Sequence, residues 1–126
     1  MIVGIGIDVL EFSKLEHLVK TRGQEFTGAI FTEREIHYAK IHHGLANLAT
    51  AFTAKEAVVK SLSFSPSSAV SLRDIEVKRS REGKPSIHLH GKLARSYPKS
   101  KYRFLLSLSF TETTATAIVL LESSTP

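Results

Sequence analysis

Cysteine is absent from the 126 residues of the chain, so neither a disulfide framework nor thiol chemistry is available to it. No apolar stretch approaches 18 residues, which argues against a membrane-spanning helix. The N-terminus opens on a strand pattern and lacks the basic start, long apolar core and small-residue cleavage site of a signal peptide. These absences favour a soluble, cytoplasmic protein that does not bind a membrane.

The chain is long enough for one compact domain, which we expect to span residues 1–126, and its formal net charge is +5. A basic protein favours acidic partners. A nucleic-acid-binding module is therefore an alternative to an enzyme. However, the positive charge is spread along the chain, and the Phe and Tyr residues are not interleaved with basic residues as they are in RNA-binding platforms. We expect no nucleic acid as a partner.

Two carboxylates stand where apolar residues would be usual. Asp8 ends the strand-like run of residues 1–8, and Glu56 lies on an apolar helical stripe that Lys55 shares and Lys60 borders. The stripe consists of Leu45, Leu48, Phe52, Val59 and Leu62. A buried carboxylate needs a partner, and two that converge from a strand and a helix would repel each other unless a cation lay between them. Hard oxygen ligands of this kind suit magnesium.

Simpler roles exist for both carboxylates. Asp8 could cap the helix that follows it, because Asp is a preferred N-cap residue. Glu56 and Lys60 are four residues apart and could form a solvated pair. The clustering of charges around an apolar stripe favours a functional site instead. Such a site could also belong to a magnesium enzyme of another phosphoryl-transfer class.

Two further motifs carry weaker signals. Gly4-Ile-Gly6 lacks the third glycine of a dinucleotide fingerprint, so we expect Gly6 to let another backbone or a ligand approach the strand. His88 and His90 share one face of a predicted strand and could ligate a transition metal if a third ligand joined them. Exposed strand histidines are the more common case.

Local patterns predict a mixture of helices and strands. Residues 32–35 match the capping box that starts a helix, and Gly23 would end an earlier helix that begins near Glu11. The helices are expected at about 11–23, 32–41, 45–62 and 91–97, and the strands at about 1–8, 70–79, 85–89, 104–110 and 115–121. Residues 63–68 are predicted to form a polar loop.

Five motifs follow one another along the chain: Gly4-Ile-Gly6-Ile-Asp8, Phe52-x-x-Lys55-Glu56-Ala57-x-x-Lys60, Asp74-Ile75-Glu76, Gly83-Lys84-Pro85 and Ser107-Leu-Ser109. Their order and spacing resemble those of bacterial holo-acyl-carrier-protein synthase, a phosphopantetheinyl transferase. The resemblance covers nearly the whole chain. It implies an α+β fold with a small antiparallel sheet packed with helices, 4′-phosphopantetheinyl transferase-like, and assembly as a homotrimer with active sites between subunits.

The resemblance also implies an activity: transfer of the 4′-phosphopantetheine arm of coenzyme A to a serine of acyl carrier protein, in support of fatty acid biosynthesis. Magnesium would be required and 3′,5′-ADP released. Asp8 and Glu56 map onto the metal-binding carboxylates, Lys60 would direct its ammonium at the pyrophosphate, and Ser109 would contact coenzyme A. Glu56, acting through an ordered water, is the predicted relay for the proton of the acceptor serine.

The first predicted helix has a basic side opposite its apolar side. Lys14, Lys20 and Arg22 lie there, with His17 between them. Acyl carrier proteins are acidic, so we expect this side to bind one of them.

Three positions depart from the family pattern, and all three concern coenzyme A rather than the metal. Phe110 stands where the family usually has His, Ala51 stands where an Arg usually precedes Phe52, and residues 63–68 replace a glycine-rich turn. The change at Ala51 removes a cation expected to bind phosphate. A weakened or inactive homologue is therefore an alternative.

Overall fold

The computed structural model describes residues 1–62 and 70–124. Its elements, in chain order, are strand β1 (Ile2–Glu11), helices α1 (Phe12–Ile30), α2 (Glu33–Ile41) and α3 (Gly44–Ser61), a short 3₁₀ turn (Leu72–Asp74), strands β2 (Ile75–Arg79) and β3 (Pro85–Leu89), helix α4 (Gly91–Ser96), and strands β4 (Tyr102–Phe110) and β5 (Thr114–Ser123). The predicted polar loop at 63–68 lies outside the described residues.

The strands form two antiparallel sheets. One has three strands in the order β1, β5, β4, and the other is the hairpin of β2 and β3. β5 is thus a central strand that joins β1 to β4. The amino group of Met1 donates a hydrogen bond of 2.9 Å to the carbonyl oxygen of Ser123, 122 residues away. The predicted α+β class is confirmed, with two small sheets where the sequence suggested one.

Helix α3 lies directly on β1 because two glycines leave room for it. A Cβ at Gly4 would overlap the carbonyl oxygen of Ser61, and a Cβ at Gly6 would overlap that of Ala57. The prediction that Gly6 permits a close backbone approach is confirmed, and the approaching backbone is that of α3. Since a strand alternates its faces, Gly4, Gly6 and Asp8 all face this helix.

The predicted apolar stripe of α3 is not its most buried face. Phe52 and Glu56 are only half-buried, as are Leu45 and Leu48, whereas Ala49, Ala54 and Ala57 are fully buried. The reason is the close contact with β1: a helix this near a sheet can place only small side chains at the contact. Leu45, Leu48 and Phe52 therefore lie at the margin of the buried face, whereas Val59 and Leu62 of the predicted stripe are buried at the end of the helix.

The sequence suggested that Lys55 shares a site with Glu56. In the structure Lys55 belongs to a separate buried network. Its ammonium lies 2.7 Å from Glu35 Oε1 and donates to the carbonyl oxygens of Leu72 and Ile75, at 3.1 and 2.6 Å. Burial lowers the pKa of Lys55, and Glu35 opposes that effect. Glu35 also accepts a hydrogen bond of 2.7 Å from the Val77 amide. The network fixes α3 against α2 and β2.

Several predicted boundaries differ from the structure. β1 continues past Asp8 to Glu11, because its last residues still pair with β5. The first helix does break at Gly23, where φ is 56°, but helical turns resume and reach Ile30. Of the strand predicted at 70–79, only 75–79 is extended, since the 3₁₀ turn occupies part of it. The capping box at Thr32 is confirmed by both of its hydrogen bonds.

Candidate active site

Asp8 lies within β1, on the face that contacts α3. Its backbone pairs with Ala117 of β5, and its carbonyl oxygen accepts a hydrogen bond of 3.0 Å from Thr116 Oγ1. The alternative role of Asp8 as a helix cap is wrong, because the N-cap position of α1 is Glu11 and no side chain caps it. The carboxylate of Asp8 is mostly buried, with 18% of its side chain exposed. Strand geometry thus presents this carboxylate to the helix.

Lys60 reaches Asp8 from the last turn of α3. Its ammonium lies 3.1 Å from Asp8 Oδ1 and donates a second hydrogen bond of 3.1 Å to the carbonyl oxygen of Ile7. About half of the Lys60 side chain is exposed, at 54%. The ammonium is therefore held at the site but remains accessible to a ligand.

Glu56 lies one helical turn before Lys60 and joins the same group. Its pKa is raised above the ordinary value by burial and by the negative charge of Asp8, while Lys60 opposes the shift. Residues four apart in a helix are neighbours on its surface, and Lys60 contacts Asp8 at 3.1 Å, so Glu56 and Asp8 both lie beside Lys60. The structure therefore brings together the three residues that the sequence singled out for metal binding and catalysis.

The donor set of Asp8 and Glu56 fits magnesium. Proteins often hold this ion with one or two carboxylates, while water and substrate phosphates fill the other positions. Among residues 1–62 and 70–124, no group of three or more His, Cys, Asp or Glu side chains could hold a metal ion on its own. Asp8 and Glu56 thus suit an ion that is bound jointly by protein and substrate.

Ser109 does not join these residues within one copy of the chain. It is exposed on β4, whereas Leu108 and Leu106 alternate with it and pack toward the core. Its side chain therefore lies on the face of the sheet opposite α3. Its predicted contact to coenzyme A stays a prediction.

The neighbouring Phe110 faces the α3 side, where its ring lies 6.4 Å from that of Phe12 and 6.5 Å from that of His43.

The basic side of α1 is exposed, as the sequence predicts. Lys14, Lys20 and Arg22 all face solvent, while Leu15 on the other side is fully buried. Lys20 is paired with Glu16 at 3.4 Å, and the Arg22 guanidinium lies 5.6 Å from the centre of the Phe26 ring. The surface keeps its positive charge mainly at Lys14 and Arg22.

The sequence did not predict the basic cleft that lies beside Ala51. It has a volume of about 150 Å³ and is lined by Arg34, Glu35, Tyr38, Asn47, Ala51, Val77, Lys78 and Arg79. The Glu35 carboxylate is already paired with Lys55 at 2.7 Å, so the three cations leave the cleft basic. The Arg79 guanidinium is fixed there by hydrogen bonds of 3.2 Å to Asn47 Oδ1 and to the carbonyl oxygen of Gly83. The signal in the sequence was the pair Lys78-Arg79 shortly before Gly83-Lys84-Pro85. Arg79 of β2 thus places a cation beside Ala51, the α3 position at which an arginine is absent.

The two histidines near the end of β3 engage other partners. His90 Nε2 lies 3.1 Å from Glu76 Oε1, and His88 Nδ1 lies 3.2 Å from the ammonium of Lys99. Burial and the charges of Lys78 and Lys99 lower the pKa of His88. No third ligand joins the pair in the part of the chain that the structure describes, so the geometry does not favour a transition-metal site.

None of the described helices combines the length and the apolar character needed to cross a membrane.

The sequence as a whole matches one family. Residues 4–118 match the 4′-phosphopantetheinyl transferase superfamily. The chain is similar to a holo-[acyl-carrier-protein] synthase of Clostridium botulinum (strain Eklund 17B / Type B), with 37% identity over 123 residues that cover 97% of this chain and 98% of the relative. It is also similar to one from Koribacter versatilis, with 36% identity over 124 residues that cover 97% and 99%.

Solved structures resemble the fold along its whole length. A holo-[acyl-carrier-protein] synthase from Neisseria meningitidis superposes with a TM-score of 0.86 and 33% identity, covering 97% of this chain and 99% of the other. One from Bacillus anthracis, solved in complex with CoA (3′,5′-ADP), superposes with a TM-score of 0.80 and 34% identity, covering 98% and 99%.

Proposed function

The chain belongs to the 4′-phosphopantetheinyl transferase superfamily, and on that premise we propose that it is a holo-acyl-carrier-protein synthase. It transfers the 4′-phosphopantetheine arm of coenzyme A to a serine of apo acyl carrier protein and releases 3′,5′-ADP. The observation that carries the proposal is the convergence of Asp8, Glu56 and Lys60 at the contact of β1 and α3. The family membership does not favour a nucleic-acid-binding module. The process served is fatty acid biosynthesis, and residues 1–126 act as one domain.

Asp8 and Glu56 would hold magnesium, because they are two hard oxygen donors whose mutual repulsion a cation would relieve. When bound, magnesium supplies charge neutralisation at the pyrophosphate of coenzyme A.

Lys60 binds and stabilises the leaving group. Its ammonium is bonded to Asp8 and Ile7 yet half-exposed, so it can also donate to a phosphate oxygen of the donor. Negative charge grows on the released 3′,5′-ADP as the bond to the phosphopantetheine phosphorus breaks, and a positive group already in place stabilises that charge.

Glu56 is the candidate acceptor for the proton of the attacking serine. Its raised pKa makes its carboxylate more basic than an ordinary glutamate, which suits a group that takes up a proton during the reaction. The serine hydroxyl loses its proton as its oxygen bonds to phosphorus. An ordered water between the hydroxyl and Glu56 is the relay we propose.

Arg79 replaces the cation that Ala51 cannot supply. The guanidinium projects from β2 into the cleft that Ala51 lines, where Arg34 and Lys78 add further positive charge. Three cations around a small cleft suit a phosphate group of the donor. The chain therefore retains a phosphate-binding surface despite the departure at position 51, which argues against an inactive homologue.

The exposed side of α1 with Lys14, Lys20 and Arg22 is the surface we propose for acyl carrier protein. Positive charge at this surface speeds and orients the encounter with an acidic partner. α1 follows β1 directly, so the docked partner lies near the strand that carries Asp8.

The outer face of the three-stranded sheet supports a homotrimer. Apolar side chains on this face remain exposed in a single chain: Ile5, Ile7, Val9, Leu105 and Ile118. A contiguous apolar face of this kind usually marks an interface between proteins. Ser109 lies on the same face, so in an assembly it can reach coenzyme A bound at a neighbouring copy.

The location we propose is the cytoplasm, with which the absence of cysteine agrees.

The direct test is to incubate the protein with coenzyme A, magnesium and apo acyl carrier protein and to weigh the carrier protein by intact mass spectrometry. We expect the mass of one phosphopantetheine arm to be added. A carrier protein whose acceptor serine is replaced by alanine should gain nothing. An unmodified carrier protein at saturating substrates would overturn the proposed function.

A further inference from the structure

A second cleft lies between β3, α4 and β4 and shares no lining residue with the candidate active site. Its volume is about 540 Å³, which falls within the range of small-ligand sites. Among the described residues, β3 pairs only with β2, and β4 pairs only with β5, so the two sheets part at this point. Apolar side chains form the walls, including Ile87, Leu89, Ala94 and Phe104.

Two cations of a basic segment line this cleft. The segment 91–103 contains five basic residues and no carboxylate: Lys92, Arg95, Lys99, Lys101 and Arg103. Its charge thus equals the formal net charge of the whole chain, +5. Lys99 and Arg103 are both exposed and both line the cleft. An apolar cavity with cations in its lining complements an amphipathic anion.

The existing partners of Lys99 and Arg103 indicate how much negative charge a ligand of this cleft should carry. Arg103 is bonded to Glu122 at 2.9 Å, so its charge is largely compensated. Lys99 pairs with no carboxylate within the described ranges, and its partner is His88 Nδ1 at 3.2 Å. Since the pKa of His88 is lowered, its imidazole is neutral at pH 7 and leaves the charge of Lys99 uncompensated. One uncompensated charge matches a ligand that carries a single negative charge.

We propose that this cleft binds a small amphipathic carboxylate, such as a medium-chain fatty acid. The carboxylate bonds to the ammonium of Lys99 and to free N–H groups of Arg103, which has five donors and shares only part of them with Glu122. The apolar chain lies between Ile87, Leu89 and Phe104. The site is independent of the proposed transferase reaction.

The probe is octanoate, followed by NMR titration of the methyl signals of Ile87 and Leu89, with octan-1-ol as the uncharged ligand of equal length. We expect saturable shifts with octanoate, and an affinity for octan-1-ol about tenfold lower, the loss that one charge-assisted hydrogen bond represents. Lys99→Gln should weaken octanoate by about tenfold and leave octan-1-ol unchanged. Ala94→Trp should fill the cleft and abolish the binding of both.

Lys92→Gln is the matched control, because it removes the same charge from the same basic segment but does not line the cleft. It should leave octanoate binding unchanged. The proposal is overturned if octanoate causes no saturable shift, or if Lys92→Gln weakens octanoate binding as much as Lys99→Gln does. It is also overturned if the protein binds vesicles of anionic phospholipid but does not bind octanoate below its micellar concentration. Lys99→Gln is a surface change that should not affect folding, so its result stands if Ala94→Trp fails to fold.

Discussion

At the residue scale, the two carboxylates of the candidate active site are compensated unequally. Lys60 is 3.1 Å from Asp8, whereas Glu56 has no ion pair within 4 Å in the described part of the chain. Burial and the charge of Asp8 raise the pKa of Glu56, and the charge of Lys60 opposes them only in part. Glu56 is thus the carboxylate that gains most from a bound cation.

Replacing either carboxylate with alanine should remove magnesium-dependent transfer without unfolding the protein. Each change deletes one of two protein ligands, and Glu56→Ala also removes a partly buried charge. We expect a loss of at least about a hundredfold in kcat/KM, in the range of lost electrostatic catalysis. Without metal, the melting temperature of Glu56→Ala should be unchanged or higher.

Magnesium itself provides the second measurement. It should raise the melting temperature of the wild-type protein by binding the folded state, and it should not raise that of either variant. Glu112→Ala, an exposed carboxylate in the turn before β5, is the control and should behave as wild type. Full activity in both Asp8→Ala and Glu56→Ala would refute the metal assignment.

Lys60→Met should lower turnover by roughly two orders of magnitude, the usual loss for one electrostatic donor. The effect should fall on kcat more than on the KM for coenzyme A, because the charge that Lys60 faces grows in the transition state. Lys40→Met, at the exposed end of α2, serves as the control. Normal turnover in Lys60→Met would show that Lys60 does not stabilise the leaving group and only forms the ion pair with Asp8.

Arg79→Gln should raise the KM for coenzyme A by about tenfold and change kcat little, since a distant phosphate contact contributes to binding rather than to the chemical step. Arg81→Gln, in the exposed turn after β2, should leave both constants unchanged. Restoring a cation by Ala51→Arg in the Arg79→Gln background should recover part of the affinity. An unchanged KM in Arg79→Gln would exclude the cleft as a phosphate site.

At the scale of elements, the junction of β1 with α3 sets the distance between Asp8 and Glu56. Gly6→Ala would place a methyl group against the Ala57 carbonyl, and backbone atoms cannot move aside as a flexible side chain can. We expect a loss of about 1–3 kcal/mol in the free energy of unfolding, the usual cost of overpacking. We also expect a fall in kcat, because α3 must shift away from Asp8.

Gly28→Ala is the matched control for this substitution. Gly28 lies in α1 with nothing within 4 Å of an added Cβ, so the same chemical change should be neutral or slightly stabilising. Denaturant unfolding and steady-state kinetics measure both effects. If Gly6→Ala were as stable and as active as Gly28→Ala, the close approach of α3 would not control the site.

Local signals predicted many of the elements. The capping box located the start of α2, and the alternation of β3 gave its bounds correctly. The convergence of Asp8, Glu56 and Lys60 was also anticipated, because a charge on a largely apolar helix stands out in the sequence. These predictions succeeded where the determining interaction lies within a few residues of the pattern.

The failures concern contacts between distant parts of the chain. The partner of Lys55 is Glu35, twenty residues away on another helix, and no spacing in the sequence links them. The buried face of α3 was predicted correctly at Val59 and Leu62 but not at Leu45, Leu48 and Phe52, because the glycines that determine the close contact belong to β1. The cleft around Arg79 likewise arises where β2 meets α2 and α3, so neither local periodicity nor charge counting could reveal it.

At the scale of the whole molecule, the exposed positive charge on α1 should control the encounter with acyl carrier protein. Replacing Lys14, Lys20 and Arg22 together with alanine should raise the KM for acyl carrier protein and flatten its salt dependence, while the KM for coenzyme A stays nearly unchanged. Lys20 should contribute least, because Glu16 already pairs with it.

Initial rates at several salt concentrations measure this effect. The control replaces Lys92, Arg95 and Lys101, three cations of the other basic segment, and removes the same total charge. If that variant weakens acyl carrier protein equally, net charge rather than a docking surface governs recognition. If neither variant affects it, the docking surface lies elsewhere.

The central place of β5 has a consequence for how the chain folds during synthesis. β1 leaves the ribosome first, but the strand that completes it emerges only after about a hundred further residues, which takes roughly 5–20 s at ordinary translation rates. Until then the apolar residues of β1 have no sheet to join, and a nascent chain that stops before β5 leaves β1 and β4 unconnected. The sheet therefore cannot form until β5 is available, and a fragment that stops before β5 should expose the unpaired edge of β1 and aggregate.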